Sequence, residues 1–282
     1  MVLIAVMLIC LVATGYFAHF ILHRNAKNEV IQYASLMLEM AQAVRGYTVG
    51  EIRPLIKDKM IHEFLPQSVP AYAATQSFNK LRQKHPEYSY KEATLNPTNL
   101  RDRATDWEVD VIQDFAKDEN KKQIIGVRKT PTGTSLFLSQ PIRITNPACL
   151  TCHSEPAKAP ETMTVKYGNS NGFGWKLNEI VGAQIVTVPM ALPIKMANQI
   201  FIIFMAFVLA IFAFIIIVLN LMLRFIVVKP ITEITIMAGK VSMGRMDTPE
   251  VLFNSKDEIS LLATSFNRMR RSLQKAIKML EK

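Results

Sequence analysis

Two stretches of the chain, residues 1–23 and 196–223, contain no Asp, Glu, Lys or Arg and consist largely of aliphatic and aromatic side chains. A helix rises about 1.5 Å per residue, so each stretch is long enough to cross the roughly 30 Å hydrocarbon core of a bilayer. Between them and after the second, polar and apolar positions mix as in soluble domains. The pattern predicts an anchor over residues 1–22, a domain over 23–195, a second anchor over 196–225 and a tail over 226–282. A cleaved signal peptide is the alternative for residues 1–22. The apolar run exceeds a usual signal core and helical spacing continues beyond it, which favours a retained anchor.

In the domain, Val30, Tyr33, Ala34, Met37, Leu38, Ala41 and Val44 recur at the three-to-four spacing of one helix face, so the first span is expected to continue outward as a helix. Gly46 and Gly50 weaken it and Pro54 stops or restarts it. Residues 60–110 mix Pro-marked turns with a helix-like patch from Tyr72 to Gln83. The acidic residues of 101–119 read as a solvated helix face. Residues 124–127, 135–139 and 184–188 have strand composition, with a hairpin turn at residues 131–133. An α+β domain with an antiparallel sheet is the expected outcome.

The tail has a different rhythm. Ile231, Ile234, Ala238 and Val241 fall at 3-4-3 spacing; a connector with Gly244, Pro249 and Asn254 follows; then Ile259, Leu262, Phe266, Met269, Leu273, Ala276 and Leu280 complete three heptads. Two such helices cannot bury their seams alone, so an all-α coiled-coil bundle formed by a homodimer is expected.

The net charge of +10 changes little. Residues 24–195 and 224–282 each carry +5, with signs interspersed and no long basic run. Nucleic acid is therefore not an expected partner, and basic residues beside anionic lipid account for the tail.

The chemistry lies in Cys149-Leu150-Thr151-Cys152-His153. Two thiols three apart on a helical turn reach two vinyl groups of one porphyrin, and the adjacent His153 ligates the iron, so this spacing points to covalent haem c. A thioredoxin-like CxxC is expected between a strand and a helix, which the Pro147-flanked loop matches poorly. A zinc site lacks a second cysteine pair, with only His62 and His85 remaining away from the apolar stretch that holds His19 and His23. Cys10 lies in the first anchor and reads as a buried apolar residue. Haem is attached to such motifs after export, which places residues 24–195 in the periplasm or another extracytoplasmic space. Arg224, Lys229, Lys240 and Arg245 then follow the positive-inside tendency.

Two resemblances follow from these residues. The tail resembles a HAMP linker through Pro230, Gly244-Arg245-Met246, Asp257-Glu258-Ile259 and Ser265-Phe266-Asn267-Arg268-Met269. The domain resembles a haem-c, PAS-like periplasmic sensor family, once a domain of unknown function, of cyanobacteria and proteobacteria. The matching strings are Phe64-Leu65-Pro66-Gln67, Val69-Pro70-Ala71, Tyr90-Lys91-Glu92-Ala93-Thr94-Leu95-Asn96-Pro97-Thr98-Asn99, the haem motif, and Gly172-Phe173-Gly174-Trp175-Lys176-Leu177. This resemblance implies a PAS-like fold with a long N-terminal helix. It also implies haem held by Cys149, Cys152 and His153. In that family a cysteine can be the second axial ligand, but here no cysteine is left for it. The position is open or taken by Met37, Met40, Met60, His62 or His85.

Two functions are compatible with this layout. One is a membrane haem sensor coupling redox or gas-ligand state to a cytoplasmic HAMP bundle, with its effector in trans. The other is a membrane-anchored electron-transfer or accessory cytochrome c subunit of a larger redox complex. No arrangement of acid, base and nucleophile marks the chain as an enzyme.

Overall fold

The computed structural model describes residues 2–131, 133–255 and 257–280. It divides into two compact units, Gly15–Ile202 and a second made of Met1–Thr14 with Ile203–Lys282.

The first element, α1 (Val2–Tyr47), is one helix of 46 residues, and its apolar run is long enough to cross a membrane. It continues through a π-helical segment, Thr48–Ile52, into a single turn at Arg53–Leu55. A second long helix continues the same way: Leu223–Val228 is π-helical just before Pro230, and α-helix resumes at Lys229. The two cases share a cause. A proline ring clashes with the carbonyl four residues earlier, here Gly50 and Ile226, and a widened turn relieves that clash without ending the helix.

The α/β domain then runs α2 (Pro70–Arg82), β1 (Ser89–Thr94), α3 (Asp106–Lys117), β2 (Ile124–Thr130), β3 (Gly133–Arg143), the short α4 (Leu150–His153), α5 (Glu161–Tyr167) and β4 (Ile180–Pro189). The strands form one antiparallel sheet in the order β1-β4-β3-β2. The expected hairpin between β2 and β3 is present, though Thr132 at its tip lies outside the described residues.

Helices cover both faces of the sheet. On one face Val30, Ala34, Leu38 and Ala41 of α1 and Ala74 and Phe78 of α2 pack on Tyr90, Leu136, Leu138, Val186 and Val188. On the other, Val111, Ile112 and Phe115 of α3 pack on Ala93, Ala183 and Ile185. The strand period of two assigns neighbours to opposite faces, so Ile185 and Val186 belong to different cores.

A polar row interrupts the α1 face. Glu92, Gln184 and Gln140 sit side by side across β1, β4 and β3. Gln42 donates to Gln140 Oε1 at 2.7 Å, and Arg45 pairs with Glu92, which also accepts from the Tyr90 hydroxyl at 2.7 Å. Gln184 Oε1 is buried without a partner.

Two sequence expectations change. Strand β1 was not anticipated, because Ser89-Tyr90-Lys91-Glu92-Ala93-Thr94 has little β-branched or aliphatic character. The reading of the 101–119 acids as a solvated face fails at Glu108, which is only 5% exposed. It completes the capping box of α3 with Thr105 and bonds Lys91 Nζ at 2.7 Å, so cap and cross-element pair together offset its burial.

The helix α6 (Ala191–Met222), which belongs to the first unit up to Ile202 and to the second from Ile203, is apolar enough to span a membrane. Beyond it, α7 (Lys229–Ser242) and α8 (Glu258–Leu280) pack through Ile234, Val241, Ala263 and Phe266, with Val251 from the connector. Asn267 holds the connector, accepting from Val251 N at 3.2 Å and donating to Val251 O at 2.7 Å. Arg270 adds contacts to Thr248 and Glu250. The expected seam is thus divided. Ile259 and Phe266 join the internal core, whereas Leu262, Met269 and Leu273 are 43–51% exposed. The side chain of Leu280 lies outside the described residues.

Candidate functional site

Strand β3 delivers the chain to the motif. After Arg143, the Asn146 side chain accepts from Ala148 N at 2.9 Å and caps the 3-10 turn Pro147–Cys149, which leads into α4. Cys149 and Cys152 therefore lie about one helical turn apart, both half-buried free thiols. Burial pushes the Cys152 thiol up, against the opposing influence of the nearby Arg53 guanidinium, with Cys149 adding slightly.

His153 is held at three points. Its Nδ1 lies 2.7 Å from the Gly172 carbonyl, its ring stacks on Trp175 at 3.9 Å and 12°, and its own carbonyl accepts from Trp175 N at 3.1 Å. A carbonyl only accepts, so Nδ1 must carry the proton and Nε2 presents its lone pair. Burial also pulls the imidazole below its ordinary range, with the Gly172 bond opposing, so the ring is neutral at pH 7. This is the state in which a histidine ligates a metal.

The Gly172 segment is fixed from the end of β1. Asn96 Oδ1 accepts from Gly172 N at 3.0 Å and Asn96 Nδ2 donates to the Phe173 carbonyl at 3.2 Å. Gly172 has φ +84°, and a Cβ there would stand 2.0 Å from Thr98 Oγ1 and 2.9 Å from Thr98 Cα. Only glycine fits. Gly174 N also bonds the Ser154 carbonyl at 2.7 Å, so residues 172–175 run back along the motif.

The distal candidates are distributed differently. Met37 packs against the α1 core, and Met40 is 63% exposed. His85 faces Glu87 and Tyr88. Met60 and His62 line a cleft of about 690 Å³ with Phe64, Thr162 and Lys166, and its far wall is α5, the helix that follows the motif. Among the described residues, no group of three or more His, Cys, Asp or Glu gathers as a metal cluster. The role of residues 96–98 was not legible in the sequence, where they stood out only as part of a string.

Comparison with known proteins follows this geometry. The Tll0287-like family profile matches residues 23–189 and the HAMP domain profile matches residues 222–275. The chain belongs to the Tll0287-like family and carries a HAMP domain after it. The crystal structure of the cyanobacterial heme-protein Tll0287 is similar at 15% identity over 57% of this chain and 95% of that one, with a TM-score of 0.44. No curated protein matches the chain.

Proposed function

We propose that the chain is a membrane-bound haem-c sensor, in which a PAS-like extracytoplasmic domain couples haem redox or gas-ligand state to a HAMP bundle across the membrane. Cys149 and Cys152 would hold the haem by thioether bonds, and His153 Nε2 would ligate its iron. Bound there, the group supplies a one-electron redox centre and an iron able to take a diatomic ligand. The observation that carries the reading is the Nδ1 bond of His153 to Gly172, which leaves Nε2 free on the same turn as two unpaired thiols. Family membership supports it, since a relative is described as a heme-protein.

The two long apolar helices support a two-pass topology with the motif outside. The exposed row Leu262, Met269 and Leu273 supports a homodimer, because a seam of that length has no partner within its own helical pair. An effector would then be engaged in trans.

The test is haem staining of the denatured full-length protein. Cys149→Ala with Cys152→Ala should abolish covalent haem, while His153→Ala should keep it and change its absorption spectrum. Haem retained by the double variant would overturn the attachment. Carbon monoxide binding by the reduced wild type should follow readily; a saturated iron that ignores it and instead exchanges electrons rapidly with a redox partner would favour an electron-transfer subunit.

A further inference from the structure

Among the described residues no hydrogen bond joins Asn96 to His153 or the cysteines, yet Asn96 bonds the loop that carries the His153 acceptor. Its amide spends both ends on one loop, with Oδ1 on Gly172 N at 3.0 Å and Nδ2 on the Phe173 carbonyl at 3.2 Å, across 76 and 77 residues of sequence. The carbonyl of that same Gly172 takes the Nδ1 proton of His153. Thr98 packs so close to Gly172 that a Cβ there would stand 2.0 Å from Thr98 Oγ1, so the loop runs this near the end of β1 only because residue 172 is glycine. Trp175, three residues on, stacks on the face of the imidazole at 3.9 Å. Asn96 therefore holds the polar groups on either side of the Gly172–Phe173 peptide, and the ring bonds that peptide's carbonyl through its edge while its face stacks on an indole.

We infer that Asn96 is a positioning residue for the iron ligand, holding the Gly172 carbonyl against His153 Nδ1 and thereby setting the ligand's orientation and basicity. This rests on the reading that His153 ligates the haem. Asparagine is required because the task needs an acceptor and a donor about one peptide apart on a short side chain. Aspartate would keep the bond to Gly172 N but set a carboxylate oxygen against the Phe173 carbonyl; alanine would keep neither. A hydrogen bond from Nδ1 to a carbonyl makes the imidazole more basic and favours the oxidised metal, so slackening it should raise the reduction potential.

The experiment compares full-length, haem-loaded variants by visible absorption, electron paramagnetic resonance and reduction potential. Asn96→Ala should retain covalent haem, shift the potential upward and change the resonance signature of the ferric form. Asn99→Ala is the control in the same loop. It removes the cap on Arg101 N and leaves the Gly172 contacts alone, so it should match the wild type in both readouts. A wild-type potential and signature in Asn96→Ala would overturn the role, as would an equal shift in Asn99→Ala. If Asn96→Ala does not accumulate, Asn96→Asp, of nearly the same volume, replaces it: a changed signature supports the role and an unchanged one overturns it. His153→Ala separates the two levels. If its spectrum stays wild-type, the ligand assignment fails and the positioning role with it; if it changes while both Asn96 variants do not, only the positioning role fails.

Discussion

Two helix faces in this chain are written in nearly the same code and meet opposite fates. Val30, Ala34, Leu38 and Ala41 of α1 repeat at helical spacing and are at most 1% exposed, because the sheet and α2 lie across them. Leu262, Met269 and Leu273 of α8 repeat at the same spacing and remain about half exposed. Spacing thus reports that a face is apolar, not whether the chain itself covers it. The first face finds its cover within the α/β domain. In the HAMP domain, α7 and the connector cover only the adjoining stripe of Ala263, Phe266, Asn267 and Arg270. One face stabilises a fold; the other stays exposed within the chain and is where the proposed homodimer would form.

The largest test of that difference is a matched pair of truncations. Leu38→Ala removes a fully buried side chain and should cost about 2–5 kcal/mol. Leu273→Ala, at a position 43% exposed, should stay within about 0.5 kcal/mol for the isolated chain while weakening self-association. Both tryptophans, Trp107 and Trp175, lie in the α/β domain, so denaturant unfolding followed by their fluorescence reads the first loss cleanly. Cross-linking or sedimentation in detergent reads the second. A large loss of intrinsic stability from Leu273→Ala would break the comparison.

A smaller effect separates the two stripes of α8 itself. Asn267 is 2% exposed and bonds both polar groups of the Val251 backbone. Removing it leaves a buried N–H and C=O unpaired, at about 1–3 kcal/mol. Asn267→Ala should therefore speed hydrogen exchange at Val251 and expose the connector to protease. The exposed seam should be spared, with self-association weakened less than by Leu273→Ala. The reverse ranking would assign the connector contact to assembly instead.

What the sequence made legible follows the same line between local and distant causes. The α1 face, the two-cysteine turn and strands β2 to β4 announce themselves within a few residues, through spacing or β-branched composition. Strand β1 does not. Its buried Glu92 and Tyr90 and half-buried Lys91 meet partners 47, 12 and 17 positions away in Arg45, Phe78 and Glu108, and no window on the strand contains them. Glu108 looked solvated for the same reason. The motif histidine was readable, but its tautomer was not, since that depends on Gly172 and, through it, on Asn96. In α8 the heptad spacing marked a helix, yet it could not tell Leu262 from Ala263 as the residue facing α7. That choice depends on the path of a connector without repeating pattern.

The smallest effect bears on how the HAMP helix starts. Asp257 is the N-cap of α8: Oδ1 accepts from Ser260 N at 3.0 Å and from the Ser255 hydroxyl at 2.8 Å. These bonds, first the Ser260 amide and then the Ser255 hydroxyl, hold its carboxyl below the ordinary value of 3.8. A group whose folded pKa is depressed stabilises the fold above its unfolded pKa and loses that contribution as pH falls through the folded value. Acidification below 3.8, through the depressed folded value, should therefore fray the first turn of α8, seen as faster exchange at Ile259 and Ser260. Asp257→Asn keeps a capping oxygen but cannot titrate, so it should preserve the turn at pH 7 and flatten this acid response. An undiminished response in Asp257→Asn would transfer the effect to another carboxylate, and with it the claim that the α8 start is fixed within its own chain rather than by assembly.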